Sequence, residues 1–105
     1  MSNVDPRFPI RRYTAEELYS EITEEKKSFW DTVHPRFMAR DVTKEEIRKL
    51  LRMALVATAG SYRLVNQLFN SPPEDYKRLM NFLSKHDLML DFRKFRRRST
   101  RSHAA

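Results

Sequence analysis

Three histidines and the carboxylate pairs Glu16/Glu17 and Glu24/Glu25 are groups in this chain that could move protons or hold a metal. His34, His86 and His103 stand far apart, and none has a second histidine or carboxylate at ligand spacing on one helical face. Glu16/Glu17 and Glu24/Glu25 fall on charged helix faces, without the apolar surroundings that raise a carboxyl pKa. The absence of cysteine excludes thiolate catalysis, thiolate metal sites and disulfides. With Gly60 as its one glycine, the chain has no phosphate-binding loop of the GxxxxGK(S/T) form. These residues predict no enzyme, no cofactor and no metal centre. His34, ahead of Pro35, reads as a turn residue. His86 reads as a helix-end residue that suits the negative end of the dipole or a phosphate.

Phosphate recognition is the chemistry that remains. The chain has 105 residues and a formal net charge of +7. Residues 1–12 carry Arg7, Arg11 and Arg12 against Asp5, a net +2. Residues 91–105 carry Arg93, Lys94, Arg96, Arg97, Arg98 and Arg101 against Asp91, a net +5. The stretch between holds twelve basic and twelve acidic residues, so the excess lies in the two arms. Such arms attract polyanions by releasing counterions, whatever their sequence, which makes Arg93, Arg96, Arg97 and Arg98 candidate phosphate contacts.

The length suits one domain with a modest core. Five prolines and one glycine are too few for an all-β protein. No apolar run is long enough to cross a membrane or serve as a signal peptide, so a cytoplasmic location is expected.

An all-α fold of about four helices is expected to position these groups. The division is a basic arm at 1–13, a helical domain at 14–90 and an Arg-rich tail at 91–105, whose end is expected to be disordered. Thr14-Ala15-Glu16-Glu17, Thr43-Lys44-Glu45-Glu46 and Ser71-Pro72-Pro73-Glu74 each read as a capping box that opens a helix. The first helix is expected over 15–33, ended by Pro35, with Leu18, Ile22, Phe29 and Val33 on one face. That face reads either as packing on its own domain or, with Trp30, as a dimer seam, the latter because so small a domain struggles to bury Trp30, Phe29 and Phe37 alone. The second helix starts after Thr43, carries Ile47, Leu50, Leu51, Ala54 and Leu55 inward, and ends at a left-handed Gly60. A third, capped by Ser61, presents Leu64, Val65, Leu68 and Phe69. The fourth, at 72–86, has Tyr76, Leu79, Met80 and Leu83 as its inner stripe. Two short helices joined by so few residues must cross steeply, as in a helix-turn-helix.

The stretch "ALVATAGSYRLVNQLFNSPPEDYKRLMNFLSKH" resembles the Fis-type helix-turn-helix that closes bacterial enhancer-binding proteins, activators that work with the alternative sigma factor. Ala54-Leu55, Gly60, Ser61, the run from Leu64 to Phe69, the turn, and Tyr76 with Met80 carry the likeness, which extends over roughly residues 15–96. It implies a homodimer on double-stranded DNA with the fourth helix in the major groove, a transcription-regulating role at the nucleoid, and an ATPase domain upstream in a longer regulator. Ser61, Arg63, Lys77 and Arg78 would then face DNA. Asn81 and Lys85 continue the outer face at i+4 steps from Lys77. The sequence departs from the family at Pro73 and Asp75, which stand where a basic residue and a threonine are usual. Asn66 replaces a small residue and Asn70 replaces the turn glycine.

Two other readings follow from the same residues. Leu79 and Phe82 could make the fourth helix a docking surface for a protein partner, with the tail as a general polyanion anchor. Phe92 and Phe95 among the arginines could instead stack on single-stranded nucleic acid.

Overall fold

A computed structural model of the chain describes residues 12–95, and every element among them is helical. Five α-helices occur: α1 (Ala15–Thr23), α2 (Phe29–Met38), α3 (Lys44–Ala57), α4 (Tyr62–Leu68) and α5 (Tyr76–Lys85). A 3-10 turn at Pro73–Asp75 leads into α5. No helix among the described residues is long and apolar enough to cross a membrane.

The expected first helix is two helices. Ser28 caps α2 by accepting from the Asp31 N–H (3.1 Å), and Lys26 takes a left-handed φ of 60° in the break. The break redirects the chain so that Leu18, Ile22, Phe29 and Val33 all enter this chain's own core, each fully buried. These four are therefore covered by intramolecular packing, and only Trp30 of the expected dimer seam keeps some exposure. Pro35 does not end the run either. It sits inside α2, so His34 is a helical residue rather than a turn. The bond Pro35 cannot donate is one link, and the helix continues for another turn. Arg36 in that turn donates to Glu21 of α1 at 2.9 Å and lies 4.1 Å over the Tyr13 ring. The Arg36 hydrogen bond holds the Glu21 carboxyl below its ordinary pKa.

Two of the three capping hydroxyls act as expected. Thr14 and Glu17 form the full reciprocal box, with bonds of 3.0 and 3.2 Å. Thr43 accepts from the Glu46 N–H, but the Glu46 carboxylate turns away and takes the Ala15 N–H at 2.8 Å. One glutamate thus caps the neighbouring helix and joins α3 to α1. Ser71 does not cap: its hydroxyl is buried without a partner. The reason is Pro72, which precedes another proline and is held extended at ψ 155°. The helical start slides past it, and Glu74 is no longer the residue a Ser71 cap would reach.

α3 is amphipathic as expected, and its Ile47, Leu50, Leu51, Ala54 and Leu55 are all buried. It contacts both α1 and α4. On α4, Val65 is buried and Leu64 is half exposed, while Tyr62 and Asn66 point inward. On α5 the inner residues are Leu79, Phe82 and Leu83, with Tyr76 and Met80 at the margin. Packing continues beyond residue 90. The buried Tyr62 hydroxyl accepts from Leu90 N–H at 2.9 Å and donates to the Leu90 carbonyl at 3.3 Å. Phe92 stands edge-on to Tyr62.

Four helices end in the same way, with the N–H of the second residue beyond the cap bonded to the carbonyl five residues back. The left-handed positions are Arg40, Ala59, Asn70 and Asp87, with φ between 53° and 67°. Gly60 is left-handed as expected (φ 81°), but Ala59 before it already occupies the strained position. Asn70 carries a second duty: its amide donates to the carbonyls of Ile22 and Lys27, both at 2.9 Å. Glycine at these two sites should therefore act with opposite sign. Ala59→Gly relieves left-handed strain of about 1–2 kcal/mol, less the entropy glycine adds to the unfolded chain, for a net gain of about 0.5–1 kcal/mol. Asn70→Gly loses two hydrogen bonds worth about 1 kcal/mol each and should destabilise by roughly that much in all. Urea unfolding of both variants against the parent tests the pair.

Candidate nucleic-acid interface

The burial of Leu79, Phe82 and Leu83 fixes which side of α5 faces out. Lys77, Arg78, Asn81, Ser84 and Lys85 are exposed on it. Lys77, Asn81 and Lys85 form one row at i+4 steps, and among the described residues neither lysine has a carboxylate within ion-pair distance. This row could pair with phosphates through its ends and offer an amide to a base edge between them.

Arg78 is placed differently. Its guanidinium lies 3.8 Å over the Trp30 ring and 3.8 Å from the Asp75 carboxylate. Trp30 in turn packs edge-on against Phe29 and Phe82, at 5.1 and 5.8 Å between ring centres. Arg78 therefore joins α5 to α2, and Asp75 is partly occupied by it. Phe82 lies at the middle of this aromatic group, with His34, Phe37 and His86 around it at 5.3, 5.7 and 4.7 Å. It is 8 % exposed and Leu79 is 1 % exposed, so neither presents the apolar docking face expected of them.

Ser61 and Arg63 reach the same end of the molecule from α4. Ser61 Oγ accepts from the Leu64 N–H at 3.2 Å as the helix cap. The Arg63 guanidinium lies 4.3 Å over the ring of Tyr76, the first residue of α5. Both border a hollow with Tyr76, Met80 and Phe92. Arg93 is exposed and held 3.2 Å from Asp91, whose carboxyl it keeps below the ordinary range through that hydrogen bond. Phe92 and Phe95 pack against the core instead of standing free for base stacking. Arg96, Arg97 and Arg98 lie outside the described residues.

A basic group that sequence reading missed lies at the far end of α5. Arg12, Arg40 and Lys44 line an open hollow of about 530 Å³ with His86, beside the capped start of α3. No spacing rule could gather residues from four separate segments. The signal available was only that Arg40 and Lys44 flank a predicted helix start. Comparison with family models, curated proteins and solved structures finds no match to this chain.

His34 gives the interface a pH test. Its imidazole is half-buried against Trp30 and Phe82, and this burial pushes its pKa below the ordinary value, with Arg78 and His86 acting in the same direction. A lowered folded-state pKa means that stability present above the ordinary histidine value, about 6.5, is lost as the pH falls through the folded one. The thermal midpoint should decline between pH 7 and 5, and His34→Gln should flatten that decline. Equal slopes in the two proteins would assign the loss to other groups.

Proposed function

We propose that this chain is a non-catalytic DNA-binding module of the helix-turn-helix kind. In this reading α4 and α5 are the two helices and α5 lies against the duplex. The observation that carries it is the row Lys77, Asn81, Lys85, exposed and, among the described residues, without carboxylate partners, on a helix whose opposite face is buried. Arg63 and Ser61 lie beside Tyr76 and Met80 of the same helix. The basic arms at 1–13 and 91–105 would supply phosphate contacts of no sequence preference.

Two departures from the Fis-type pattern fit this reading better in space than in sequence. Asp75 turns toward Arg78, which reduces its repulsion of an approaching phosphate. Pro73 lies in the 3-10 turn, before α5 begins. The homodimer of the resemblance would have to form through surface other than Leu18, Ile22, Phe29 and Val33. A place after an ATPase domain in a longer bacterial regulator remains part of the proposal.

Selection from a random duplex pool at near-physiological salt tests the function. Enrichment of a defined site is the expected outcome, and a palindrome with half-sites about one helical turn apart would add the dimer. Retention without any enriched sequence would reject sequence reading and leave the arms as the binding element. On the enriched site, Lys77→Ala and Lys85→Ala should weaken binding uniformly and each lower the salt-dependence slope by about 1. Asn81→Ala should cost about 1–3 kcal/mol and relax preference at one base position.

A further inference from the structure

We propose that the open hollow at the far end of α5, lined by Arg12, Arg40, Lys44 and His86, receives the phosphodiester backbone of a DNA duplex. The inference rests on the reading of α5 as the helix that lies against DNA, and it places the backbone at one end of that helix.

The cations reach this hollow from separate segments, each set by local structure. The Tyr13 N–H donates to the Asp41 carbonyl at 2.9 Å, which brings Arg12 alongside the end of α2. Arg40 holds the left-handed position that closes α2, with its N–H on the Phe37 carbonyl at 3.0 Å. Lys44 is the first residue of α3, directly after the Thr43 cap. His86 stands edge-on to Phe37, with 5.1 Å between ring centres.

This gathering of charge is uncompensated. Among the described residues no acid lines the hollow, and Arg12, Arg40 and Lys44 have no carboxylate within ion-pair distance. Lys27, Arg36, Arg48, Lys49, Arg78 and Arg93 each have one. Acids close in sequence are used elsewhere. Glu46 takes the Ala15 N–H, Glu45 lines another hollow with Arg48 and Arg52, and Asp87 pairs with Arg48. Like charges that converge without a counter-ion repel one another, so the hollow favours an anion. Two guanidinium forks and an ammonium suit the oxygens of a phosphate, and such contacts carry no base information.

Helix length and charge decide which end of α5 meets the backbone. Its 10 residues span about 15 Å, against a major groove about 12 Å wide, so a helix crossing the groove carries one end over a strand. The start of α5 follows Glu74 and Asp75, which repel phosphate. Its end carries Lys85, the last cation of the exposed row, and then His86 on the wall of the hollow. The strand therefore fits the end.

Fluorescence anisotropy of the full chain with a labelled duplex of arbitrary sequence, over a range of salt, tests the site whether or not α5 reads bases. Arg40→Gln with Lys44→Gln should weaken binding about tenfold and lower the salt-dependence slope by about 2. Lys49→Gln with Arg52→Gln removes the same charge from exposed positions outside the hollow and should leave the slope near the parent's. All four substitutions are at exposed sites, so the helical circular dichroism of both proteins should match the parent. Equal losses in the two double variants would overturn the proposal, as would parent-like binding by Arg40→Gln with Lys44→Gln. Either result leaves the DNA-binding reading standing. A parent chain that binds no duplex would reject both.

Discussion

The junction of Phe29 with the end of α4 is the contact on which the other helices depend. Phe29 stacks on Phe69 at 5.0 Å and 14°, and its N–H donates to the Phe69 carbonyl at 3.0 Å. The same ring meets Trp30 and Phe82 edge-on, so α2, α4 and α5 converge on one side chain. Asn70, next along the chain, closes the junction from outside by holding the Ile22 and Lys27 carbonyls. The break between α1 and α2 is thus anchored by residues more than forty positions away. A continuous helix over that stretch would carry Phe29 away from Phe69 and leave two large rings in water. Burying rings of this size is worth about 1.5–3 kcal/mol each, well above what one uninterrupted helical turn returns.

Charge is distributed in step with this packing. Along α1, the break after it, α2 and α3, several acids and bases cancel in pairs: Lys49 with Glu16 at 2.8 Å, Arg36 with Glu21 at 2.9 Å and Lys27 with Glu25 at 3.2 Å. Exposed pairs of this kind add little stability, but they leave those faces electrically quiet. Among the described residues, Lys77 and Lys85 on the outer row of α5 have no such compensation. Arg78, which a helical wheel places beside Lys77, is drawn off that row toward Trp30 and Asp75. The aromatic group of Trp30, His34, Phe37, Phe82 and His86 therefore sets both the rotation of α5 and which of its cations stay free.

The prolines at 72 and 73 act on two sites at once. By holding Ser71 out of its capping role they delay α5 until Tyr76, which puts the Tyr76 ring under Arg63. They also leave the Ser71 hydroxyl and the Asn66 oxygen buried without hydrogen-bond partners. A helix that began at Pro72 would have satisfied Ser71.

Helical class, the span of α3, the caps at Thr14, Thr43 and Ser61, and the amphipathic pattern of α5 were legible in the sequence. These features depend on contacts within about four residues, where side-chain type and spacing decide the outcome. Tertiary structure decided the split at residues 24–28, the passage of α2 through Pro35, the transfer of Glu46 to Ala15, and the burial of Phe82. It also turned the expected dimer seam of Leu18, Ile22, Phe29 and Val33 into core. Each of these rests on a partner distant in the chain, and periodicity records only that a residue is apolar, not whether its own domain or another molecule will cover it.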